Sequence, residues 1–195
     1  MDYAILGEHQ SDAQTLKVIV KRLSSTIMPA KQADKLSIRP KGYEGWSEMF
    51  RNGRKDVSAL AELGCRRFIV CFDSDGHDPG VRKKKIMNEI IRPSGVKKPV
   101  CALVPVEEIE AWILADISAV AKILKSWRPF KEIVNPEKIS SPKERLKKLC
   151  RDRKTRKERY QETIHNEKVA EYLDLDVLHK KCASFRFLSD FVKNK

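Results

Sequence analysis

Four short segments alternate along the chain with longer ones whose apolar positions repeat every three or four residues. Three of the short segments are apolar runs, at residues 3–7, 68–72 and 100–106, and the fourth, at 35–39, alternates polar and apolar residues. A short apolar or alternating run bounded by polar residues or proline predicts a β-strand, whereas the three-four repeat predicts one face of a helix. The pattern therefore predicts that strand and helix alternate four times.

The predicted helices follow the strands in order. We expect them at about residues 12–27, 47–63, 81–92 and 107–124. Ser11 or Asp12 is the predicted cap of the first helix. Such alternation is typical of an α/β fold, with a mainly parallel four-stranded sheet flanked by helices.

The character of the chain changes after about residue 125. Prolines punctuate the connection, and residues 143–159 carry ten Lys or Arg against three acids. An apolar repeat then predicts a helical tail at about 165–192. The sequence thus predicts an α/β domain at 1–125 and a helical, basic C-terminal extension at 126–195.

Composition narrows the partners that the chain is expected to bind. A formal net charge of +13 over 195 residues favours polyanions, with nucleic acid first. No apolar run is long enough to span a membrane, and the first residues do not resemble a signal peptide, so we expect a cytoplasmic protein without a membrane partner. Five cysteines without a Cys-x-x-Cys pair predict neither a disulfide nor a zinc site, and Cys71 and Cys101 are expected to be buried thiols.

Acidic side chains follow three of the four predicted strands. They are Glu8 after the first strand, Asp73 and Asp75 after the third, and Glu107, Glu108 and Glu110 after the fourth. The carboxyl ends of parallel strands meet at one edge of a sheet, where ligands bind. Crowded carboxylates repel one another without a cation, and Mg²⁺ or Mn²⁺ prefers oxygen ligands. We therefore predict that Glu8, Asp73 and Asp75 hold a divalent metal. Glu110 either joins them as a direct or supporting catalytic group or caps the start of the following helix.

Two of these segments resemble TOPRIM domains, which occur in topoisomerases, primases and OLD-type nucleases. Residues 7–13 resemble the Glu-Gly-x-x-Asp/Glu segment of that fold, and residues 73–75 resemble its Asp-x-Asp segment. The resemblance implies a Rossmann-like TOPRIM fold with Glu8 as catalytic acid/base or metal ligand. It also implies that Asp73 and Asp75 bind Mg²⁺ during cleavage of nucleic-acid phosphodiesters.

A longer match extends the resemblance to nearly the whole chain. Residues 104–116 are similar to the Glu-Ala-Trp-Leu-Leu-Ala-Asp segment of a small bacterial TOPRIM-like group of unknown function, and residues 184–186 are similar to its Ser-Phe-Arg segment. Members of that group often neighbour ATPases of the ABC/SMC type in phage-defence loci. The resemblance therefore implies an antiphage nuclease with an ABC/SMC-type ATPase partner. It is also compatible with this protein forming a homodimer.

Two histidines lie beside the acidic segments. His9 stands where TOPRIM domains usually have glycine, so it either disturbs the turn there or adds a ligand. His77 follows Asp75 by two residues, where it either binds metal, orients a water or is merely exposed.

Candidate nucleic-acid contacts lie mostly in the C-terminal extension. Expected phosphate contacts are Lys147, Lys148, Arg151, Arg153, Lys154 and Arg186. Nearer the N-terminus, Tyr43 and Trp46 lie between basic residues, a mixture that suits either base stacking or packing.

Two other functions compete with a metal-dependent nuclease. The basic charge alone would suit a non-catalytic module that binds or senses nucleic acid. Residues 72–76 also resemble the nucleophile motif of haloacid-dehalogenase-type phosphatases, in which the first aspartate attacks phosphate. We rank the phosphatase last because His77 replaces the expected threonine, the motif lies far from the N-terminus, and no convincing later acidic pair follows a strand.

Overall fold

The computed structural model describes residues 2–125, 127, 131–152, 154–155 and 157–194. Its sheet has four strands, β1 (Asp2–Gly7), β2 (Ser37–Gly42), β3 (Arg67–Cys71) and β4 (Val100–Leu103). All three strand pairings are parallel, and the strand order is β2-β1-β3-β4. The α/β class and the parallel four-stranded sheet are thus confirmed.

Helices cover both faces of this sheet. They are α1 (Gln10–Ser25), α2 (Ala30–Ala33), α3 (Trp46–Glu62), α4 (Pro79–Ile86), α5 (Arg92–Ser94), α6 (Glu110–Ala115), α7 (Val120–Ile123), α8 (Pro142–Leu149), α9 (Glu162–Ala170), α10 (Leu175–Lys181) and α11 (Ala183–Lys193). A π-helical turn at Met87–Ile91 joins α4 to α5. None of the helices within the described ranges combines the length and the apolar character that crossing a bilayer requires.

Strands β1, β3 and β4 are buried on both faces, as their continuous apolar runs predict, whereas β2 at the edge of the sheet is only partly buried. In β1, Tyr3 and Ile5 point to a core shared with α1, α6 and the C-terminal helices. The alternate residues Ala4 and Leu6 point to a second core shared with α3 and α4. Residues of the predicted C-terminal extension therefore pack into the same core as the sheet.

The connections that leave β1 and β3 run to opposite faces. Helix α1 follows β1 onto the first face, whereas α4 follows β3 onto the second. Neighbouring parallel strands whose connections diverge in this way leave a crevice between their carboxyl ends, and ligands bind in such crevices. The ends of β1 and β3 define this switch point of the sheet.

The prediction of one helix over residues 107–124 is wrong. Helix α6 begins only at Glu110 and ends at Ala115. Asp116 leaves the helical conformation, with φ −123° and ψ 67°. Its carboxylate accepts hydrogen bonds from the Ser118 hydroxyl and from the backbone N–H of Asp174, 2.8 Å away. A long-range contact thus outweighs the local apolar repeat at this position.

The tail is also not one continuous helix but three. The first break separates α9 from α10. Asp174 caps the start of α10, because its carboxylate accepts from the N–H groups of Asp176 (2.9 Å) and Val177 (3.1 Å). Cys182, in an extended conformation, separates α10 from α11. The five cysteines are buried free thiols, as predicted for Cys71 and Cys101.

Candidate functional site

Glu8 lies directly after β1, at the N-terminus of α3. Its carbonyl accepts from the N–H of Gly45 at 3.2 Å, and its carboxylate accepts from the N–H of Trp46. The pKa of Glu8 is nevertheless raised, first by burial, with Asp75 and Asp12 adding repulsion. The first strand therefore delivers a carboxylate whose charged form is destabilised.

His9 and Asp12 fix the start of α1. His9 caps the helix and donates its N–H to Asp12 Oδ2 at 3.0 Å, so the predicted cap at Ser11 or Asp12 is wrong by a few residues. His9 adopts an ordinary extended conformation, φ −126° and ψ 159°, in which a glycine is not required. Its ring lies 3.9 Å from the Glu8 carboxylate. Asp12 is buried, which raises its pKa.

The loop after β3 is bonded to the loop after β4. Buried Ser74 donates its N–H to the Pro105 carbonyl at 3.1 Å, and its hydroxyl accepts from the N–H of Glu107 at 2.7 Å. The N–H of Asp75 returns to the Glu107 carbonyl at 3.2 Å. Both Asp75 (φ 45°) and Glu107 (φ 62°) are in the left-handed region, which costs free energy for residues other than glycine.

This loop sets Asp73 and Asp75 at different depths. Burial raises the pKa of Asp73 well above its ordinary value, and Asp12, Glu110, Glu8 and Asp75 raise it further. Asp75 is half exposed and lies 3.9 Å from the Arg82 guanidinium. Asp73 is thus the central carboxylate of the cluster, and Asp75 lies at its rim.

Glu110 joins the cluster from the start of α6. Its side chain is buried and accepts from Asn166 Nδ2 at 2.9 Å. Asn166 in turn accepts from the Tyr160 hydroxyl at 2.7 Å. Burial raises the pKa of Glu110 to about 7. The C-terminal helices therefore contribute a hydrogen-bonded support to a carboxylate of the site.

A cleft of about 440 Å³ opens beside these residues. Its lining includes His9, Asp12, Asp73 and Glu110, together with Lys143 from the C-terminal part of the chain. Glu8 and Asp75 do not line the cleft, but both lie close enough to raise the pKa of Asp73. The structure therefore brings together all four of the predicted catalytic carboxylates, Glu8, Asp73, Asp75 and Glu110.

Lys143 adds a positive charge to the cleft. The amino-acid composition could not show that a lysine lies at this position. Its ammonium lies 3.4 Å from Glu108 Oε1, and the backbone N–H of Lys143 donates to Glu108 Oε2 at 2.8 Å. Burial alone would lower the pKa of Lys143, but the carboxylates of Glu110, Glu108 and Asp73 outweigh it and raise that pKa. Lys143 therefore stays protonated beside the acidic cluster.

The donor set fits a hard divalent cation. Carboxylate oxygens are the ligands that Mg²⁺ and Mn²⁺ prefer, and a cation would relieve the repulsion that raises the pKa of Glu8 and Asp73. Among the described residues, no three His, Cys, Asp or Glu side chains already stand in a ligand shell. Glu8, Asp73 and Asp75 would hold the metal, with Asp12 and Glu110 beside them.

Several predicted residues lie outside the cleft. His77 is exposed, and its N–H bonds the Ser74 carbonyl at 2.8 Å. Exposed Arg186 donates to the His179 carbonyl at 2.9 Å. Lys147 pairs with Glu162 at 3.2 Å.

The other predicted phosphate contacts differ in their surroundings. Arg151 pairs with Glu158 at 3.2 Å. Lys148 and Lys154 are exposed. Arg153 lies outside the described residues. Pairing with acids makes Lys147 and Arg151 less available for phosphate than the sequence predicted.

The sequence interpretation missed several residues of the site. Asp12 could have been found from its four-residue spacing to Glu8, which places both side chains at the turn from β1 to α1. Lys143, Asn166 and Tyr160 carried no local signal, because only long-range packing brings Lys143 to the cleft and the other two to Glu110.

The two segments that carried the longer resemblance contact each other. Trp112 donates its indole N–H to the Ser184 hydroxyl at 2.8 Å. Its ring meets the Phe185 ring edge-to-face at 5.3 Å. Glu137 accepts from the N–H groups of Ala183 at 2.7 Å and Ser184 at 3.0 Å. Trp112, Ser184 and Phe185 are buried and thus belong to the core that supports the site.

Fold and site together define an α/β protein with a carboxylate cluster at the switch point of a parallel sheet. The model of one family, described as a domain of unknown function (DUF4276), matches residues 7–192. The chain belongs to this family. The match spans every residue of the cleft, including those from the C-terminal helices. Comparison with curated proteins and with solved structures gave no significant match.

Proposed function

We propose that this protein is a Mg²⁺- or Mn²⁺-dependent nuclease that hydrolyses nucleic-acid phosphodiesters. The observation that carries the proposal is the convergence of Glu8, Asp73 and Asp75 at the switch point, where burial and mutual repulsion raise the pKa of Glu8 and Asp73. An enzyme fold gains no stability from such a cluster unless a cation compensates it. The net charge of +13 supports a polyanionic substrate.

Each residue has a distinct task in this proposal. A bound cation would neutralise charge on the phosphate oxygens. Asp73 and Asp75 hold it. Glu8 completes the ligand set or accepts the proton of the attacking water, a task for which a raised pKa is suited. Lys143 exchanges its contact with Glu108 for a phosphate oxygen.

The resemblance to TOPRIM domains supports the same assignment. In that comparison Glu8 takes the place of the acid/base glutamate, and residues 73–75 take the place of the metal-binding segment. We extend the proposal to an antiphage effector that works with an ABC/SMC-type ATPase. Co-purification of an ABC/SMC-type ATPase encoded next to this protein would support that extension. Separate elution of the two proteins from a size-exclusion column would oppose it.

The nuclease is tested by incubating the protein with end-labelled DNA and RNA, single- and double-stranded, with Mg²⁺, Mn²⁺ or EDTA. We expect metal-dependent cleavage that falls at least about 100-fold in Glu8→Gln and Asp75→Asn, since each loses a charge at the metal. Asp190→Asn, at an exposed position of α11, is the matched control and should cleave normally.

Three outcomes would contradict the nuclease. Cleavage that is equal in the wild type and both site variants would place the activity elsewhere. Salt-sensitive binding without metal-dependent turnover, with or without the ATPase, would favour a non-catalytic nucleic-acid module. Release of phosphate from a small phosphomonoester, lost in Asp73→Asn, would instead favour a phosphatase.

A further inference from the structure

An exposed aromatic side chain borders the carboxylate cluster. Trp46, the first residue of α3, is 51% exposed. Tyr43, which the sequence paired with it, is buried and donates its hydroxyl to Asp56 at 2.7 Å. Of these two candidate stacking residues, Tyr43 is therefore a packing residue and Trp46 presents a ring to solvent.

Helix α4 places cations against this aromatic surface. The Lys85 ammonium lies 4.7 Å from the centroid of the Trp46 ring and 4.5 Å from that of Phe50. Phe50 packs edge-to-face on Phe72 at 5.0 Å, and the Arg82 guanidinium lies 4.1 Å above Phe72. We call Trp46, Phe50, Phe72, Arg82 and Lys85 the aromatic–basic platform. Its helix, Pro79–Ile86, contains four cationic residues and no acid.

The platform touches the carboxylate cluster at two points. The backbone N–H of Trp46 donates to the Glu8 carboxylate. Arg82 lies 3.9 Å from Asp75, and its Nε donates to the Ser74 carbonyl at 3.4 Å. A chain of nucleotides whose phosphate reached Glu8 and Asp75 would therefore pass over the platform.

We propose that the platform binds an unpaired nucleotide next to the scissile phosphate, so that single-stranded nucleic acid, or a duplex with an unpaired end, is the preferred substrate. This rests on the proposed nuclease function. The base stacks on Trp46, and Lys85 moves from the ring to the adjacent phosphate. A paired base has both faces covered by its neighbours and cannot offer one to Trp46. Stacking on aromatic side chains is tolerant of sequence, so base identity has little effect.

Binding is measured in EDTA, which separates it from cleavage. The probes are a fluorescein-labelled 12-nucleotide strand, the duplex of the same sequence, and the same strand with abasic positions. We expect the strand to bind more tightly than the duplex or the abasic strand. Stacking free energies predict a loss of about tenfold for the strand in Trp46→Ala, with the duplex little changed.

Matched variants separate stacking from charge and from general damage. Tyr172→Ala removes another half-exposed aromatic residue, beyond the end of α9, and should bind as the wild type does. Lys85→Ala should weaken the strand more than Lys84→Ala, because exposed Lys84 carries the same charge on the same helix but has no cation–π contact with any ring that the structure describes. The strand should also quench tryptophan emission, since Trp112 and Trp127 are buried and Trp46 is exposed.

The outcomes separate this proposal from the nuclease itself. Preference for the strand that depends on Trp46, without any metal-dependent cleavage, would support the platform and contradict the nuclease. Cleavage with equal strand binding by wild type, Trp46→Ala and Tyr172→Ala would contradict the platform alone. Equal affinity for strand and duplex, absent quenching, or no binding of either probe would also overturn the platform.

Discussion

At the scale of single residues, the candidate site is a cluster of carboxylates that repel one another. Asp73 lies at the centre of the cluster, where Asp12, Glu110, Glu8 and Asp75 all add repulsion to its charged form. Proteins rarely bury several acids together, because the charged forms lose hydration and gain repulsion. We therefore interpret the cluster as a functional feature for which the fold gives up stability.

The pKa of Glu110 predicts how stability depends on pH. A carboxyl group whose pKa rises on folding, here from 4.5 to about 7, stabilises the fold below pH 4.5, and that contribution is lost as the pH rises through 7. The shift corresponds to about 3 kcal/mol. In EDTA, Glu110→Gln should therefore gain stability relative to the wild type between pH 4.5 and 7, because glutamine keeps the acceptor for Asn166 without a charge.

Urea unfolding at several pH values measures this difference. Glu89→Gln, an exposed carboxylate on the π-helical turn, serves as the control and should follow the wild-type profile. If the Glu110→Gln and wild-type curves stay parallel across this range, the pKa of Glu110 is not raised on folding.

Sequence reasoning located Glu8, Asp73, Asp75 and Glu110 because each lies within four residues after the end of a predicted strand. The structure brings these four together, while their role in binding metal stays a prediction. Lys143 could not be found in this way. Its place beside the carboxylates depends on the packing of α8 against α6, more than thirty residues away along the chain.

Among the strands and helices, the local sequence pattern was sufficient to predict some elements and not others. Strands β1, β3 and β4 were predictable because apolar runs that are buried on both faces leave a clear signal, and β2 was predictable from its alternation of polar and apolar residues. The break after α6 was not, since Asp116 is held by the N–H of Asp174 across the fold at 2.8 Å. The three-four repeat of apolar residues cannot predict a helix end that depends on a hydrogen bond to a distant residue.

Close contact between β2 and α1 predicts a sensitive glycine. A Cβ on Gly42 would lie 2.2 Å from Gln10 Cα and 2.3 Å from Gln10 N, both in backbone next to His9. Gly42→Ala should therefore force β2 and the start of α1 apart. Overpacking of this kind costs about 3 kcal/mol and should also reduce cleavage, because Glu8 and Asp12 flank Gln10.

Denaturant unfolding of Gly42→Ala tests this contact. Gly53→Ala, on α3, is the comparison, since its nearest neighbours are side-chain atoms of Ile90, the closest at 3.2 Å, which are able to move. We expect the cost at Gly53 to be clearly smaller. Equal stability of the two variants would show that the approach of α1 to β2 is looser than described.

At the scale of the whole molecule, the C-terminal part of the chain completes the core. Arg22 on α1 donates to the Ala170 carbonyl at 2.7 Å, and Trp112 bonds Ser184 at 2.8 Å. The family match over residues 7–192 covers both partners of each contact. The predicted division at residue 125 described a change in composition, which does not reveal that residues after 136 cover one face of the sheet.

This packing predicts that residues 1–125 do not fold alone. Truncation there exposes the apolar side of α1 and the Trp112 ring, whose burial contributes several kcal/mol. We expect circular dichroism to show no cooperative thermal transition for 1–125 and a sharp one for the full chain. A cooperative transition in the truncated chain would instead establish an independent N-terminal domain.

Binding of a divalent cation by the switch-point carboxylates is the central claim, and calorimetric titration of Mn²⁺ into the metal-free protein tests it most directly. We predict saturable binding that is lost in Asp73→Asn and kept in Asp190→Asn, and that weakens as the pH falls and the carboxylates of the cluster become protonated. Equal Mn²⁺ binding by wild type and Asp73→Asn, or no binding by either, would contradict the claim.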